Sequence, residues 1–338
     1  MDFLPVSSDS LARAAEILRS GGLVAFPTET VYGLGADAFN PDAVAKVFEV
    51  KGRPHFDPLI IHIAAVQALE ETADLSLLSA ETRKKLFLLA ENFMPGPLSI
   101  VLPKNKKIPG VATAGLPTAA IRFPDHEAAI KLISLSTGAV AAPSANPFGS
   151  LSPTRAEHVR DNLGEKVDII LDGGPARIGV ESTVLDITGE CVKILRPGGT
   201  PKEAIEKLIG PVEDGSAKNE LCPQISPGQL KSHYAPRTPL SVFSREDIIR
   251  LSYEAGSAFL FFDNSTKYVW LRTHGQRLPD TAIIRVLSES GMALEAAARL
   301  FETLHELDKS GISRIYAQAA PPQGLGEAIN DRLRRGSV

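Results

Sequence analysis

Small hydroxyl, amide and basic side chains recur in this sequence at the ends or edges of apolar runs. Lys51-Gly52-Arg53-Pro54 puts two cations on one short, stiff loop, an arrangement that fits an anionic ligand. Other such strings are Pro27-Thr28-Glu29-Thr30-Val31-Tyr32-Gly33-Leu34-Gly35, Pro58-Leu59-Ile60-Ile61-His62, Thr118-Ala119-Ala120-Ile121-Arg122-Phe123-Pro124 and Ala141-Ala142-Pro143-Ser144-Ala145-Asn146. Ser152-Pro153-Thr154, Glu181-Ser182-Thr183-Val184 and Ile194-Leu195-Arg196-Pro197-Gly198 complete the set. Taken singly each is ordinary: a Lys-x-Arg loop is usually a solvated stretch, a strand histidine such as His62 is usually packed, and a lone Ser or Thr usually serves a turn.

Better-known signatures are missing or misplaced. Gly33-Leu34-Gly35-Ala36-Asp37-Ala38 matches a dinucleotide pattern, but the next helix opens only at Asn40-Pro41, so the glycines read as a flexible turn that lets backbone approach closely. The sequence has no phosphate-binding G-x-x-x-x-G-K-[ST], no H-x-x-x-H pair among its seven histidines and no G-x-S-x-G, which argues against a P-loop, a protein-built zinc site and the commonest serine hydrolase signature. Its two cysteines, Cys191 and Cys222, make no disulfide framework and read as packing residues or inert thiols.

The elements that would position these residues follow from local signals. Asp9 or Ser10 caps a helix with Leu11, Ala14, Ala15 and Leu18 on one face, stopped by Gly21-Gly22, and Leu23 to Phe26 enters a strand. Asn40-Pro41 opens a second helix that stops near Gly52. Short apolar runs at 59–63, 98–102, 119–123, 140–142, 169–171, 183–187 and 192–195 read as strands, with helices near 80–92, 126–134, 155–162 and 201–209. Gly210 to Pro239 holds eight Pro or Gly residues and reads as a linker. Strands at 240–243, 258–262 and 312–317, with helices at 246–254 and 294–308, then suggest a small βαβ unit. The expected fold is α/β (α+β): a large twisted mixed sheet with flanking helices over 1–209, a linker or lid over 210–239 and a small Rossmann-like domain over 240–338.

Composition removes whole classes of function. With 36 basic against 40 acidic residues and 43% hydrophobic side chains, the chain of 338 residues is neither disordered nor a basic nucleic-acid platform. Apolar runs such as Ala258 to Phe262 reach five residues, against roughly 20 for a membrane span. Met1 to Ser10 lacks a secretory pattern, so a cytoplasmic location without membrane partners is expected.

The strings PTETVYGLG, KGRP, PSAN and ESTV, in this order and spacing, resemble the threonylcarbamoyl-AMP synthase family of the YrdC-like superfamily, nearly continuously from Leu11 to Ile209. Ser226-Pro227-Gly228-Gln229-Leu230-Lys231-Ser232-His233-Tyr234-Ala235-Pro236 looks like the linker of that family's long, two-domain form, and the remainder to about Arg335 is similar to its C-terminal domain.

The resemblance implies a nucleotidyltransferase that makes threonylcarbamoyl-adenylate from L-threonine, bicarbonate and ATP, releasing pyrophosphate, with magnesium carried by ATP and no protein-built metal site. The product would pass to a tRNA threonylcarbamoyl transferase complex that modifies an adenosine beside the anticodon. Carried over by motif, Thr30, His62, Arg122 and Ser182, with backbone near Ala142, would hold threonine. Lys51, Arg53, Thr118, Ser144, Asn146, Ser152 and Arg196 would hold ATP and the carbamate-forming centre, Lys51 and Arg53 as the catalytic pair, with His233 and Tyr234 folding over the nucleotide. Asp57 departs from the family's usual Asn; it is a weak ATP-site residue, either neutralised by Arg53 or magnesium or out of contact. Leu325-Gly326-Glu327 with Arg332, Arg334 and Arg335 reads as a helix cap and solvated helix end. The alternatives are a double-stranded RNA-binding module, since the superfamily has a concave surface that accommodates such RNA and a weak RNA contact stays among the expected partners, and a related carbamoyl-adenylating maturation enzyme, which would need cysteine clusters.

Overall fold

Capping chemistry fixes where the first helices begin. In the computed structural model, which describes residues 1–215, 234–275, 278 and 281–337, α1 (Ser8–Arg19) is capped by Ser7 and not by Asp9 or Ser10. Ser7 and Ser10 close a reciprocal capping box, each side chain accepting from the other's amide. Four adjacent residues could cap here, and only the entry angle of the chain selects among them. The second helix, α2 (Pro41–Lys51), follows the expected pattern: Asn40 accepts from the amides of Asp42 and Ala43, and Gly52 ends the helix in the left-handed region with φ 61°.

Eleven strands among the described residues build one mixed sheet: β1 (Asp2–Pro5), β2 (Val24–Phe26), β3 (Gly33–Asp37), β4 (Ile60–Ile63), β5 (Leu98–Pro103), β6 (Thr118–Arg122), β7 (Ala139–Ala141), β8 (Ile169–Asp172), β9 (Thr183–Asp186), β10 (Lys193–Arg196) and β11 (Glu213–Asp214). Their order across the sheet is β1-β8-β2-β3-β7-β4-β6-β5-β9-β10-β11. The Gly33 to Ala38 stretch is therefore corrected from a flexible turn to a strand and its exit. A Cβ on Gly35 would lie 2.8 Å from both the Phe26 ring and the Val140 side chain, so this glycine makes room for packing across the sheet. The close approach survives from the sequence reading; the turn does not.

Strand periodicity divides the sheet into two faces. Ile61, Ile63, Ile100, Leu102, Ala119 and Ile121 point into the main core, where α2, α3 (Leu69–Thr72), α4 (Ala80–Phe93), α6 (Ala156–Leu163) and α7 (Lys202–Ile209) also contribute. On the opposite face, α1 and α5 (Glu127–Leu135) cover Val24, Phe26, Ile169 and Leu171. Beyond that cover, the same face of β4, β5 and β6 presents His62, Ser99 and Arg122, which the ladders set side by side: His62 opposite Arg122, and Arg122 opposite Ser99.

The described residues fall into two compact units, the first comprising Met1–Phe148, Ser152–Arg177 and 181–215, the second Gly149–Leu151, Ile178–Val180 and the described residues from 234 onward. Within the expected linker, residues 216–233, including His233 and Cys222, lie outside the described residues, and Glu213 and Asp214 pair with β10. The second unit carries a parallel sheet of β12 (Leu240–Phe243), β13 (Ser257–Asp263), β14 (Ile283–Ser288) and β15 (Arg314–Gln318) in the order β12-β15-β13-β14. Its helices are α8 (Arg245–Arg250), α9 (Asn264–His274), α10 (Ala293–Asp308) and α11 (Leu325–Gly336). An aromatic cluster of Phe259, Phe261, Trp270 and Tyr316 fills its core.

One expectation for α11 is corrected. Arg332 is not a solvated helix end: it is 1% exposed, pairs with Asp331 at 2.6 Å and lies over the Tyr234 ring, 5.0 Å from its centroid. A long apolar stem and a planar head that can both pair and stack make such burial tolerable for arginine. Among the described residues no helix is long and apolar enough to cross a membrane. Cys191 is exposed, with its thiol pushed up by the hydrogen bond and charge of Glu213.

Candidate active site

The left-handed Gly52 turns the chain sharply at the end of α2 and so directs two cations inward. Lys51 Nζ donates to the Ser144 carbonyl at 2.6 Å and to the Asn146 carbonyl. Arg53 donates from Nε to the Asp57 carbonyl and from Nη2 to the Pro58 carbonyl, both at 2.9 Å, and Nη2 lies 2.8 Å from the Asp57 carboxylate. Lys51, Arg53, Asp57 and Asn146 are all buried. The structure thus pairs Asp57 with Arg53, one of the alternatives its sequence left open.

Burial governs the electrostatics of this loop. Desolvation, then the charge of Arg53, pushes Lys51 well below the ordinary lysine range. Desolvation likewise pushes the Asp57 carboxyl up, against the pull of Arg53, Lys51 and Arg196. The Ser152 hydroxyl donates to the Glu181 carboxylate, and the Glu181 charge acts in turn on Lys51.

A second cluster grows from the turn after β2. The Thr28 hydroxyl donates to the Val31 carbonyl at 2.7 Å and shares a 2.8 Å hydrogen bond with the Thr30 hydroxyl. Thr30 Oγ1 accepts from Arg122 Nη2 at 2.8 Å, and the same nitrogen lies 2.7 Å from Glu29 Oε1. Next along the row, Ser99 and Ser182 share a hydroxyl hydrogen bond of 2.8 Å. A register shift between Ile194 and Arg196 in β10 re-aims Arg196, which donates to the Ser182 carbonyl at 2.8 Å and to its hydroxyl at 3.2 Å. His62 is buried, with Nδ1 3.3 Å from the Ile60 carbonyl and its ring edge-on to Phe26; burial, then Arg122, pushes its pKa down to about 3, so it is neutral at working pH. Ala142, just past β7, donates its amide to the Ile60 carbonyl at 2.9 Å.

Arg196 joins the clusters, bonded to Ser182 on one side and acting on the Asp57 charge on the other. The first unit therefore brings Thr30 and Ser182, from turns beside the sheet, against the face that carries His62 and Arg122, with Lys51 at the end of α2 and Arg53, Asp57, Ser144, Asn146 and Ser152 in the adjoining loops. Thr118 opens β6 at the end away from Arg122. Tyr234 stands in the second unit with φ 65°, buried against Phe301 and Arg332.

Three further polar residues beside those named had escaped sequence reasoning: Glu29, Ser99 and Glu181. Two of them stand inside strings already singled out, PTETVYGLG and ESTV. A carboxylate near an anion site reads as repulsive from sequence, and only its placement against Arg122 or Ser152 reveals what it does.

A family model described as "Telomere recombination" matches residues 16–198, and one described as "Threonylcarbamoyl-AMP synthase, C-terminal domain" matches residues 200–337. The chain is 43% identical over 96% of its length to a threonylcarbamoyl-AMP synthase of Pyrococcus abyssi, covering 93% of that protein. It is 40% identical over 99% of its length to one of Bacillus subtilis, covering 95% of it. The crystal structure of P. abyssi Sua5 complexed with L-threonine superposes with a TM-score of 0.86 at 39% identity, over 99% of this chain and 96% of that one.

Proposed function

The chain belongs to the threonylcarbamoyl-AMP synthase family, and from that membership we propose that it forms L-threonylcarbamoyladenylate from L-threonine, bicarbonate and ATP, releasing pyrophosphate, for a tRNA threonylcarbamoyl transferase complex to use. The observation that carries this reading is the adjacency of two kinds of anion site in one buried zone. Arg122, set by Thr30 and Glu29, suits a small carboxylate, while Lys51, Arg53 and Arg196 suit a polyphosphate.

In this reading the nucleophiles belong to the substrates. The threonine amine captures bicarbonate or carbon dioxide, and the carbamate oxygen then attacks the α-phosphorus as pyrophosphate leaves. Arg122 forks the threonine carboxylate, while Thr30, neutral His62, Ser182 and the backbone at Ala142 line its other side. Lys51 and Arg53 neutralise charge on the phosphates as it moves toward the leaving group, helped by Arg196, with Ser144, Asn146 and Ser152 completing the cradle. Thr118 and Asp57 belong to the outer nucleotide side of the proposal. Magnesium would arrive with ATP and would supply further neutralisation of phosphate charge beside Lys51, Arg53 and Arg196. Burial of these groups keeps water from the labile carbamate.

Turnover of threonine amide tests the amino-acid half of the site. Pyrophosphate release with the amide should fall below a hundredth of that with threonine, about 3 kcal/mol for a lost charged contact. Equal turnover removes Arg122 from the substrate carboxylate.

A further inference from the structure

Glu29, in the turn between β2 and β3, does no more than set Arg122 in the mechanism described for the site. Glu29 is 1% exposed, and neither of its carboxylate oxygens has a hydrogen-bond partner. Oε1 lies 2.7 Å from Arg122 Nη2 but off the line of an N–H···O bond. Two more buried polar atoms near it are orphaned, Nε of Arg122 and Nδ1 of His126, and the Glu29 charge acts on His126. Buried carboxylates persist only where charge and hydrogen bonds compensate them, and here the compensation within the protein is incomplete.

The missing partner has a definable chemistry. A carboxylate seated on Arg122 brings a second negative charge next to Glu29, and Arg122 supplies only one positive charge for both. His62 is neutral, and burial pushes His126 down from the imidazolium form. The ligand must therefore carry its own cation close to its carboxylate, as an α-amino acid zwitterion does. We propose that Glu29 binds the ammonium group of the amino acid whose carboxylate Arg122 holds, and accepts the proton which that group must lose; this rests on the assignment of Arg122 made in the proposed function.

The proton balance is simple. An N–H bond of the ammonium breaks, its electron pair stays on nitrogen, and the proton passes to a Glu29 oxygen. The free amine then forms an N–C bond to bicarbonate as a C–O bond breaks, and hydroxide leaves with one amine proton as water, giving the carbamate. Glu29 touches the reacting group and so acts as a catalytic residue, beyond any orienting effect on Arg122.

The test compares two ligands on three proteins by calorimetry. L-threonine and 2,3-dihydroxybutanoate, which has a hydroxyl in place of the ammonium, are titrated into wild type, Glu29→Gln and Glu29→Asp. Wild type should prefer threonine strongly, and Glu29→Gln should reduce that preference by about 30-fold or more, as expected when one partner of a buried charge pair is removed. Glu29→Asp should restore part of it, and kcat for pyrophosphate release should fall in Glu29→Gln even at saturating threonine. The ratio of two affinities does not depend on how much of the variant is folded. Equal weakening of both ligands would make Glu29 only a positioning residue for Arg122 and overturn the proposal, as would an unchanged ratio. If Arg122→Gln leaves both affinities unchanged, the assignment of Arg122 fails instead, and the proposal with it.

Discussion

Arg53 and Asp57 form an ion pair of 2.8 Å one helical turn apart in sequence, and both side chains are almost wholly removed from water. The guanidinium is also held by the carbonyls of Asp57 and Pro58, so it does not depend on the carboxylate for its position. The carboxylate neutralises a cation that the bound polyphosphate would otherwise have to itself. Asp57→Asn should therefore lower stability by about 2 to 3 kcal/mol, because a buried charge loses its partner, while lowering the KM for ATP about tenfold. Denaturant unfolding and steady-state kinetics on the same preparation check the two halves, and a raised KM would contradict the account.

His62 makes the fold sensitive to acid. Its pKa is about 3 in the folded chain against about 6.5 when unfolded, so the unfolded state binds the extra proton between those values. The stability it confers is complete above pH 6.5 and is lost as pH falls toward 3. Replacing it by Gln should reduce the stability lost between pH 6.5 and 5 by about 1.5 kcal/mol relative to wild type. His126 and Asp57 are present in both proteins and cancel in the comparison. Identical losses in urea unfolding at the two pH values would show that His62 titrates normally.

Gly198 lets two segments of the site touch. A Cβ there would fall 2.3 Å from the Ser182 carbonyl carbon and 2.4 Å from both the Glu181 oxygen and the Thr183 nitrogen, all of them backbone atoms that cannot swing away. Gly198→Ala should cost about 2 to 3 kcal/mol of stability by overpacking. It should also loosen Arg196 from Ser182, raising KM for ATP and threonine together. A variant with wild-type melting and kinetics would contradict this contact.

How much of this was legible in the sequence depended on whether the cause was local. The α2 boundaries were readable because Asn40, Pro41 and Gly52 each act within a few residues of themselves, and the strands of the polar row were readable from short β-branched runs. The placement of β3 was not: glycine there answers to Phe26 and Val140 on neighbouring strands, which no local pattern reveals. Nor was the burial of Arg332, which is set by Tyr234 nearly a hundred residues earlier in the chain. Within the site, the motif residues Thr30 and Arg122 meet in a hydrogen bond, while Glu29 was passed over because the benefit of a buried carboxylate lies in partners on other strands.

In the proposed function Lys51 and Arg53 serve an ATP-dependent reaction of threonine and bicarbonate. Pyrophosphate release by the purified full chain should require ATP, L-threonine and bicarbonate together and stop when any one is omitted. Lys51→Ala and Arg53→Ala should each slow it roughly 30-fold to 1000-fold, as loss of about 2 to 4 kcal/mol of transition-state stabilisation would. Release that continues without threonine, or near wild-type rates in both variants, would contradict the account.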